Sequence, residues 1–392
     1  MGPLDGVKVL DISRYGPGRY TSMILADLGA DVIMVEMPRK AGQSFDMMTS
    51  DIEPHYLGLN RNKRSIALNF KDEKGRELFY RLVEQMDVLI EGARPGTLKR
   101  RGMDYETVSR RNPRLIYCSI TGYGQTGPYA RRAGHDINFA GMTGILGLSG
   151  AKNVPPVYIS TPMISDVLGG TTQAAMAIMA ALYARDRTGK GQYIDVSSVD
   201  GTVFYHWVHA AQFFRDGQVP QRSEFPTGID MAWMNIYRAG DGKYFTIGCL
   251  EPWHWANLCR AVGREDLVAD QFGPLEKQKS MYDALTEAFS TKTRDEWVEV
   301  LAGADVSVAP VYDFAEMFAD PHLVHRGVTV EVEHPRLGNI RLLNTPFRFS
   351  GTPAEVRTRP PLWAEHTREV LGTLLGCSGE ELDRLVEENV IE

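Results

Sequence analysis

Two short segments carry the residue types best suited to chemistry. Ala133-Gly134-His135-Asp136-Ile137-Asn138 sets a histidine in a turn. Ser165-Asp166-Val167-Leu168-Gly169-Gly170 sets an aspartate ahead of a glycine pair, after a stretch that holds Pro155, Pro156 and Pro162. An imidazole and a carboxylate sharing one pocket can pass a proton to and from a substrate. Alternatively, the carboxylate can attack an activated acyl carbon. Taken singly, each residue has a plainer use. An aspartate before Gly-Gly is ordinarily a turn or cap residue, and a histidine beside an aspartate is ordinarily a structural hydrogen-bonding pair. The chemistry therefore depends on elements that bring the two segments together.

Those elements must come from a chain of 392 residues, long enough for two compact domains and a large core. Hydrophobic residues make up 43% and charged residues 24%, the balance of a globular protein. A net charge of −7 without a long basic run argues against a nucleic-acid groove. The clusters Arg61, Lys63, Arg64 and Lys99, Arg100, Arg101 still suit a small polyanion. Cys118, Cys249, Cys259 and Cys377 show no CxxC or Cys/His ligand spacing, so neither a zinc site nor a disulfide framework is expected. The N-terminus has no basic segment followed by an apolar core, and no apolar run reaches membrane-spanning length; 174–183 reads as a core helix. No signal peptide, no membrane contact and a cytoplasmic location are expected.

Val7, Val9, Leu10 and Ile12 make a short buried strand over 7–12, broken by Gly16-Pro17-Gly18. Helical spacing follows over 20–28, Gly29 stops it, and 31–36 is a second strand. A strand–helix–strand unit implies a parallel sheet. Gly16-Pro17-Gly18 lacks the third glycine of a dinucleotide fingerprint, so NAD binding is not expected. Further strands are expected over 65–69, 87–91, 115–120 and 192–196. Helices are expected over 74–85, 105–111 and 172–185, the last Ala- and Met-rich and buried on most of its surface. Residues 1 to 200 thus form an open α/β layer. The texture then changes. Residues 221–233, with Pro226 and Gly228, read as a linker or a loop over the site. Strands over 244–250 and 308–312 alternate with helices over 253–262, 278–290 and 293–301. A strand pair is expected within 326–350, and Ser378 with Glu381 signals a last helix.

Seven stretches in order resemble the family III CoA-transferases of the CaiB/BaiF type, the group that also contains α-methylacyl-CoA racemase. They are Leu4–Asp11, Leu25–Ile33, Asn60–Ser65, Arg94-Pro95-Gly96, Thr121–Pro128, the Gly-His-Asp-Ile-Asn turn and Arg187–Gln192, with Leu250-Glu251-Pro252-Trp253 as a further match. The resemblance implies an α/β fold with a Rossmann-like large domain, 1–224 plus 326–392, and a smaller α+β domain, 225–325. It also implies an interlocked homodimer of two such subunits. A CoA thioester is then the substrate, with a carboxylic acid as co-substrate and no permanently bound cofactor. The resemblance places Lys63 and Arg94 on the nucleotide part of CoA, and Asn60 belongs to the same turn as Lys63. Where the racemases have another CoA-contacting arginine, this chain has Met37, with Arg39 two residues on as the candidate replacement. The turns 60–64 and 94–96 suit that role in their own right, since phosphates favour arginines and helix N-termini at the ends of α/β elements.

Asp166 aligns with the aspartate that both branches of the family need. In transferases it is the nucleophile and forms an aspartyl-acyl anhydride and then an aspartyl-CoA thioester. The glycines after it would let backbone approach the acyl group and supply N–H donors. In racemases the aspartate and a histidine stand on opposite faces of the α-carbon. His135 and Glu251 match the racemase pattern, Glu251 either orienting His135 or capping the helix that begins at Pro252. The segment around Asp166 departs from the racemases' Gly-Asp-Phe-Gly-Gly-Gly, which favours transfer. Racemisation by His135 and Asp166 remains the alternative, and a catalytic or inactive subunit of a heteromeric transferase is a third. Phe225, Trp233, Trp253 and Trp255 suit a bulky or hydrophobic substrate, core packing being the plainer use of each.

Overall fold

The computed structural model describes residues 1–14, 16–40, 50–151, 154–159, 163–222 and 231–392. Two compact units divide the chain. The first takes 1–143, 159–206 and 325–392, the second 144–158 and 207–324. The second therefore takes in 144–158 and begins again at 207, where the sequence places its start at 225. Phe225, Pro226, Gly228 and Pro162 lie outside the described residues.

The first unit is built on six parallel strands: β1 Lys8–Asp11, β2 Asp31–Glu36, β3 Lys63–Ala67, β4 Val88–Glu91, β5 Ile116–Thr121 and β6 Tyr193–Ser197. Their spatial order is β3-β2-β1-β4-β5-β6. Chain order reverses between β1 and β4, and the crevice at the carboxyl ends of those two strands is where such sheets bind ligands. The strands read as near-continuous apolar runs because both faces are covered. Val9, Val32, Val88, Ile90, Ile116 and Cys118 point to one face, against Leu25 and Ala26 of the helix Gly16–Asp27 and Ile178 of the helix Gln173–Thr188. Leu10, Ile33, Leu89 and Tyr117 point to the other, against Phe79 and Leu82 of the helix Glu73–Val83 and Val370 and Leu385 from the C-terminal helices Thr367–Leu375 and Gly379–Glu387. The pleat's period of two makes this division.

The C-terminal segment is tied to the sheet edge. Asn62, at a φ of 62°, accepts through Oδ1 from the N–H groups of Arg357 and Thr358 at 2.6 and 2.9 Å. Further on, Asn69 donates its N–H to the Val390 carbonyl at 2.8 Å. In the second unit, β7 Met234–Arg238, β8 Tyr244–Gly248 and β9 Val308–Pro310 form an antiparallel sheet. Helices Pro252–Ala261, Leu275–Phe289 and Arg294–Gly303 pack with it around Trp233, Tyr237, Trp255 and Phe289. β10 Thr329–His334 and β11 Gly338–Leu343 pair as the expected hairpin back in the first unit.

Three expectations change. Gly16-Pro17-Gly18 opens the first helix instead of merely ending a strand. Proline is tolerated there because the first-turn N–H groups have no intrahelical partner. The helix read over 172–185 is the end of a continuous helical run, Ser165–Thr188, of 24 residues. By length and composition alone that run could cross a membrane; in the fold its Ala174, Ile178 and Leu182 pack on the sheet. It is also less covered than expected, since Met176 and Tyr183 are exposed. Helices Ser198–Phe204 and Trp207–Asp216 are additional to the sequence reading.

Candidate active site

Asp166 sits on a π-helix, Ser165–Thr172, that runs on into the helix Gln173–Thr188. Such turns are uncommon and concentrate at functional sites. The Asp166 backbone N–H donates to Asp136 Oδ1 at 2.8 Å. Asp136 is the buried first residue of the helix Asp136–Met142, and His135 precedes it as the N-cap. The His135 N–H in turn donates to Asn138 Oδ1 at 3.1 Å. One helix end therefore carries His135 and, through Asp136, holds the turn that bears Asp166. Burial pushes the Asp166 carboxyl up to about 6, and the neighbouring Asp136 adds to the rise. Such a group is ionised at neutral pH yet poorly solvated, which makes it a better base and nucleophile than a surface carboxylate.

Asp166 and His135 line one cavity of about 350 Å³. Gly16, Pro17 and Gly18 form part of its wall, so the open end of the first helix faces the same space. Unpaired N–H groups at a helix start favour a carboxylate or a developing oxyanion. Thr121 also lines it, with a buried hydroxyl that has no hydrogen-bond partner among the described residues. The glycines after Asp166 serve differently from the expectation. Gly169 and Gly170 are buried and absent from the cavity wall. A Cβ on Gly169 would overlap the Ser198 carbonyl oxygen, so the glycine lets the π-helix press on the helix Ser198–Phe204.

A larger cavity, about 510 Å³, opens along the carboxyl ends of β1, β2 and β4. The two share Ser13, His55, Gly92 and Arg94. Arg14, Arg39, Lys71, Arg94 and Arg101 give the larger one a cationic wall, and Leu68, Phe70 and Leu98 an apolar one. Cations beside an apolar slot suit a phosphorylated nucleotide with its base. Arg94 stands at the junction. Arg39 lies with its guanidinium 5.4 Å from the Trp363 ring centroid, and within 3.9 Å of carboxylate oxygens of Asp51 and Glu392.

The turn at 60–64 is engaged within the protein itself. Lys63 lines neither cavity; its Nζ donates to the Arg19 carbonyl at 2.8 Å and Asn60 Oδ1 at 3.1 Å, and lies 3.9 Å from Asp11. Burial drives its ammonium down to about 7, with Asp11 opposing. Asn60 does line the larger cavity, but its side-chain oxygen is engaged by Lys63. Arg61 forks onto Asp27 at 3.1 and 2.6 Å, and Arg64 onto Asp31 at 3.1 and 2.6 Å. Each of the turn's cations thus has a carboxylate of the first unit beside it.

Sequence reasoning also missed the polar layer beneath the larger cavity. Burial disfavours a charge on Asp11. Arg19, Lys63 and hydrogen bonds from Ser13 and Ser22 outweigh it and hold the carboxyl below its usual range. Glu36, accepting from Ser65 Oγ at 2.9 Å, is pushed up to about 7 by burial, with Arg19 opposing. Acidic residues ending successive strands were the available signal. Glu251 precedes the helix Pro252–Ala261, and its side chain makes no capping bond. It belongs to the second unit, His135 to the first. Trp233 and Trp255 are core residues there, while Trp253 is exposed.

The whole chain can be set beside known proteins. It is 32% identical over 401 residues to human succinyl-CoA:glutarate CoA-transferase, covering 100% of this chain and 90% of that one. It is 33% identical over 399 residues to human alpha-methylacyl-CoA racemase, covering 99% and 97%. A CAIB/BAIF family protein from Brucella suis superposes with a TM-score of 0.82 at 34% identity, over 95% of this chain and 99% of its own. The model of CoA-transferase family III matches residues 4–367, which takes in the sheet, the second unit and the returning hairpin. This chain belongs to CoA-transferase family III.

Proposed function

We propose that this enzyme moves CoA from an acyl-CoA thioester to a carboxylic acid, with Asp166 as the nucleophile. The observation that carries the reading is one chamber holding Asp166 and joined through Arg94, Ser13, His55 and Gly92 to a cationic cavity. A thioester whose nucleotide lies on Arg14, Arg39, Lys71 and Arg101 would reach Asp166 with its acyl end through that junction.

The Asp166 carboxylate attacks the thioester carbonyl carbon, the C–S bond breaks, and the CoA thiolate leaves an aspartyl-acyl anhydride. The thiolate then attacks the aspartyl carbonyl, the donor acid departs as its carboxylate, and an aspartyl-CoA thioester remains. The acceptor carboxylate attacks that thioester and displaces the thiolate. The thiolate attacks the acceptor's acyl carbon, and Asp166 returns as a carboxylate. Every step exchanges one acyl bond for another, with no net proton or electron. The N–H groups at the start of the first helix and the Thr121 hydroxyl are the donors available for each oxyanion.

Racemisation is the second reading, because His135 lines the same chamber as Asp166. The test is direct. With a 2-methylacyl-CoA in deuterated water, transfer predicts no α-hydrogen exchange, while a carboxylic acid added with labelled acyl-CoA should become its thioester. Rapid α-exchange without any acceptor would reverse the order of the two readings.

We also propose that two chains interlock as a homodimer. Trp207 and Phe214, on the helix Trp207–Asp216, are 74% and 81% exposed, large apolar side chains that call for cover. Threaded chains cannot part while folded, so dissociation should coincide with unfolding. Sedimentation at low concentration should still show twice the chain mass. A folded, active monomer would rule the interlocked form out.

A further inference from the structure

Two arginines of the Asp166 chamber, Arg94 and Arg132, have no anionic partner among the described residues. Arg132 lines that chamber and neither of the other two described cavities, which separates it from the CoA-facing arginines. Its guanidinium carbon lies 3.7 Å from the Tyr129 ring centroid. No hydrogen bond or ion pair of that guanidinium is found among the described residues. The stack continues inward. Tyr129 meets Tyr123 edge-on at 6.2 Å between centroids, and Tyr123 meets Phe139 at 5.1 Å and 89°. Phe139 is buried on the helix that His135 caps. Gly134 keeps these rings closed, since a Cβ there would lie 2.6 Å from Phe139 Cε1 and 2.9 Å from Tyr123 Oη. The guanidinium is thus seated on a packed aromatic column.

An arginine lying face-on to a ring keeps its in-plane N–H donors open, and their fork matches a carboxylate. Resting on the transfer reading above, we infer that Arg132 binds the remote carboxylate of a dicarboxylic substrate whose other carboxyl group reacts at Asp166. Donor acyl group and acceptor occupy this chamber in turn, so both are dicarboxylic. Arg132 is exposed, so a hydrophobic acyl group that covers it would strip water from the guanidinium and offer no counter-ion in return, which is unfavourable. The same residue therefore selects for one class and against the other.

The experiment compares glutarate with its monomethyl ester as acceptors under one fixed acyl-CoA donor, in the wild-type chain, Arg132→Gln and Arg132→Lys. The wild-type kcat/KM should favour glutarate by about 10- to 100-fold, the range of a charged hydrogen-bonded pair. In Arg132→Gln the ratio should fall to near one, and in Arg132→Lys it should recover in part. A folding defect would scale both acceptors alike and leave the ratio intact, so the ratio reads the anchor itself. An unchanged ratio in Arg132→Gln, or no preference in the wild type, overturns the assignment while transfer stands. No transfer to either acid by the wild-type chain overturns the transfer reading and the anchor with it.

Discussion

Asp166→Asn should abolish CoA transfer and at the same time stabilise the folded chain above pH 6. The activity loss is expected to be at least about 10⁴-fold, because an amide cannot form the anhydride and no other described carboxylate lines the chamber. In the wild type, kcat/KM should rise with pH through about 6 and then level off, following ionisation of Asp166. The stability effect has the opposite sense. Between the ordinary carboxyl value of 3.8 and about 6 the folded state holds a proton that the unfolded state has lost. Stability contributed by the protonated form is thus lost as pH rises through that window. Asparagine carries no such penalty. The gain should be near zero below pH 4 and reach about 1–2 kcal/mol at pH 8, after allowance for partial exposure. Hydroxylamine added with an acyl-CoA donor should modify Asp166 in the wild type alone. Transfer at the wild-type rate by the asparagine variant would remove Asp166 from the chemistry.

The largest structural effect is expected at Gly201. The π-helix bearing Asp166 and the helix Ser198–Phe204 meet backbone to backbone, glycine against glycine. A Cβ on Gly201 would overlap the Gly169 carbonyl oxygen and lie 2.7 Å from its carbon. No side chain can swing aside, so one helix must move. Gly201→Ala should cost about 3 kcal/mol, the upper range for overpacking. It should also lower transfer beyond the loss of folded protein, because Asp166 lies on the displaced π-helix. Gly303, the last residue of the helix Arg294–Gly303, has open space around it. Alanine there should be neutral or stabilising by up to about 1 kcal/mol. Urea unfolding of the two variants checks the contrast. Equal midpoints would show that the contact between Gly169 and Gly201 is not a constraint.

These two glycines mark where local reading ends. Gly169-Gly170 looks in the sequence like a loosened backbone beside a catalytic carboxylate. In the fold it is a contact surface, because the helix Ser198–Phe204 packs there. The same limit appears in the basic turn. Arg61 and Lys63 look like phosphate ligands until Asp27, 34 residues away from Arg61, and Asp11 are brought to them.

What the sequence determined by itself is what depends on neighbours along the chain. Apolar runs with glycine stops located the parallel strands, the stretch 74–85 was legible as a helix, and Ser378 marked the last one, accepting from the Glu381 N–H at 3.2 Å. The family's ordered motifs carried the fold class and drew attention to Asp166 and His135. Only the tertiary structure decided which charged groups are open to a ligand. A cation is free or engaged according to the carboxylates that distant segments place beside it. It left Arg94, Arg101 and Arg132 facing the cavities and buried Lys63. It also made Asp166 a poised carboxylate, since the burial and the Asp136 contact that raise its pKa both come from chain folded over it.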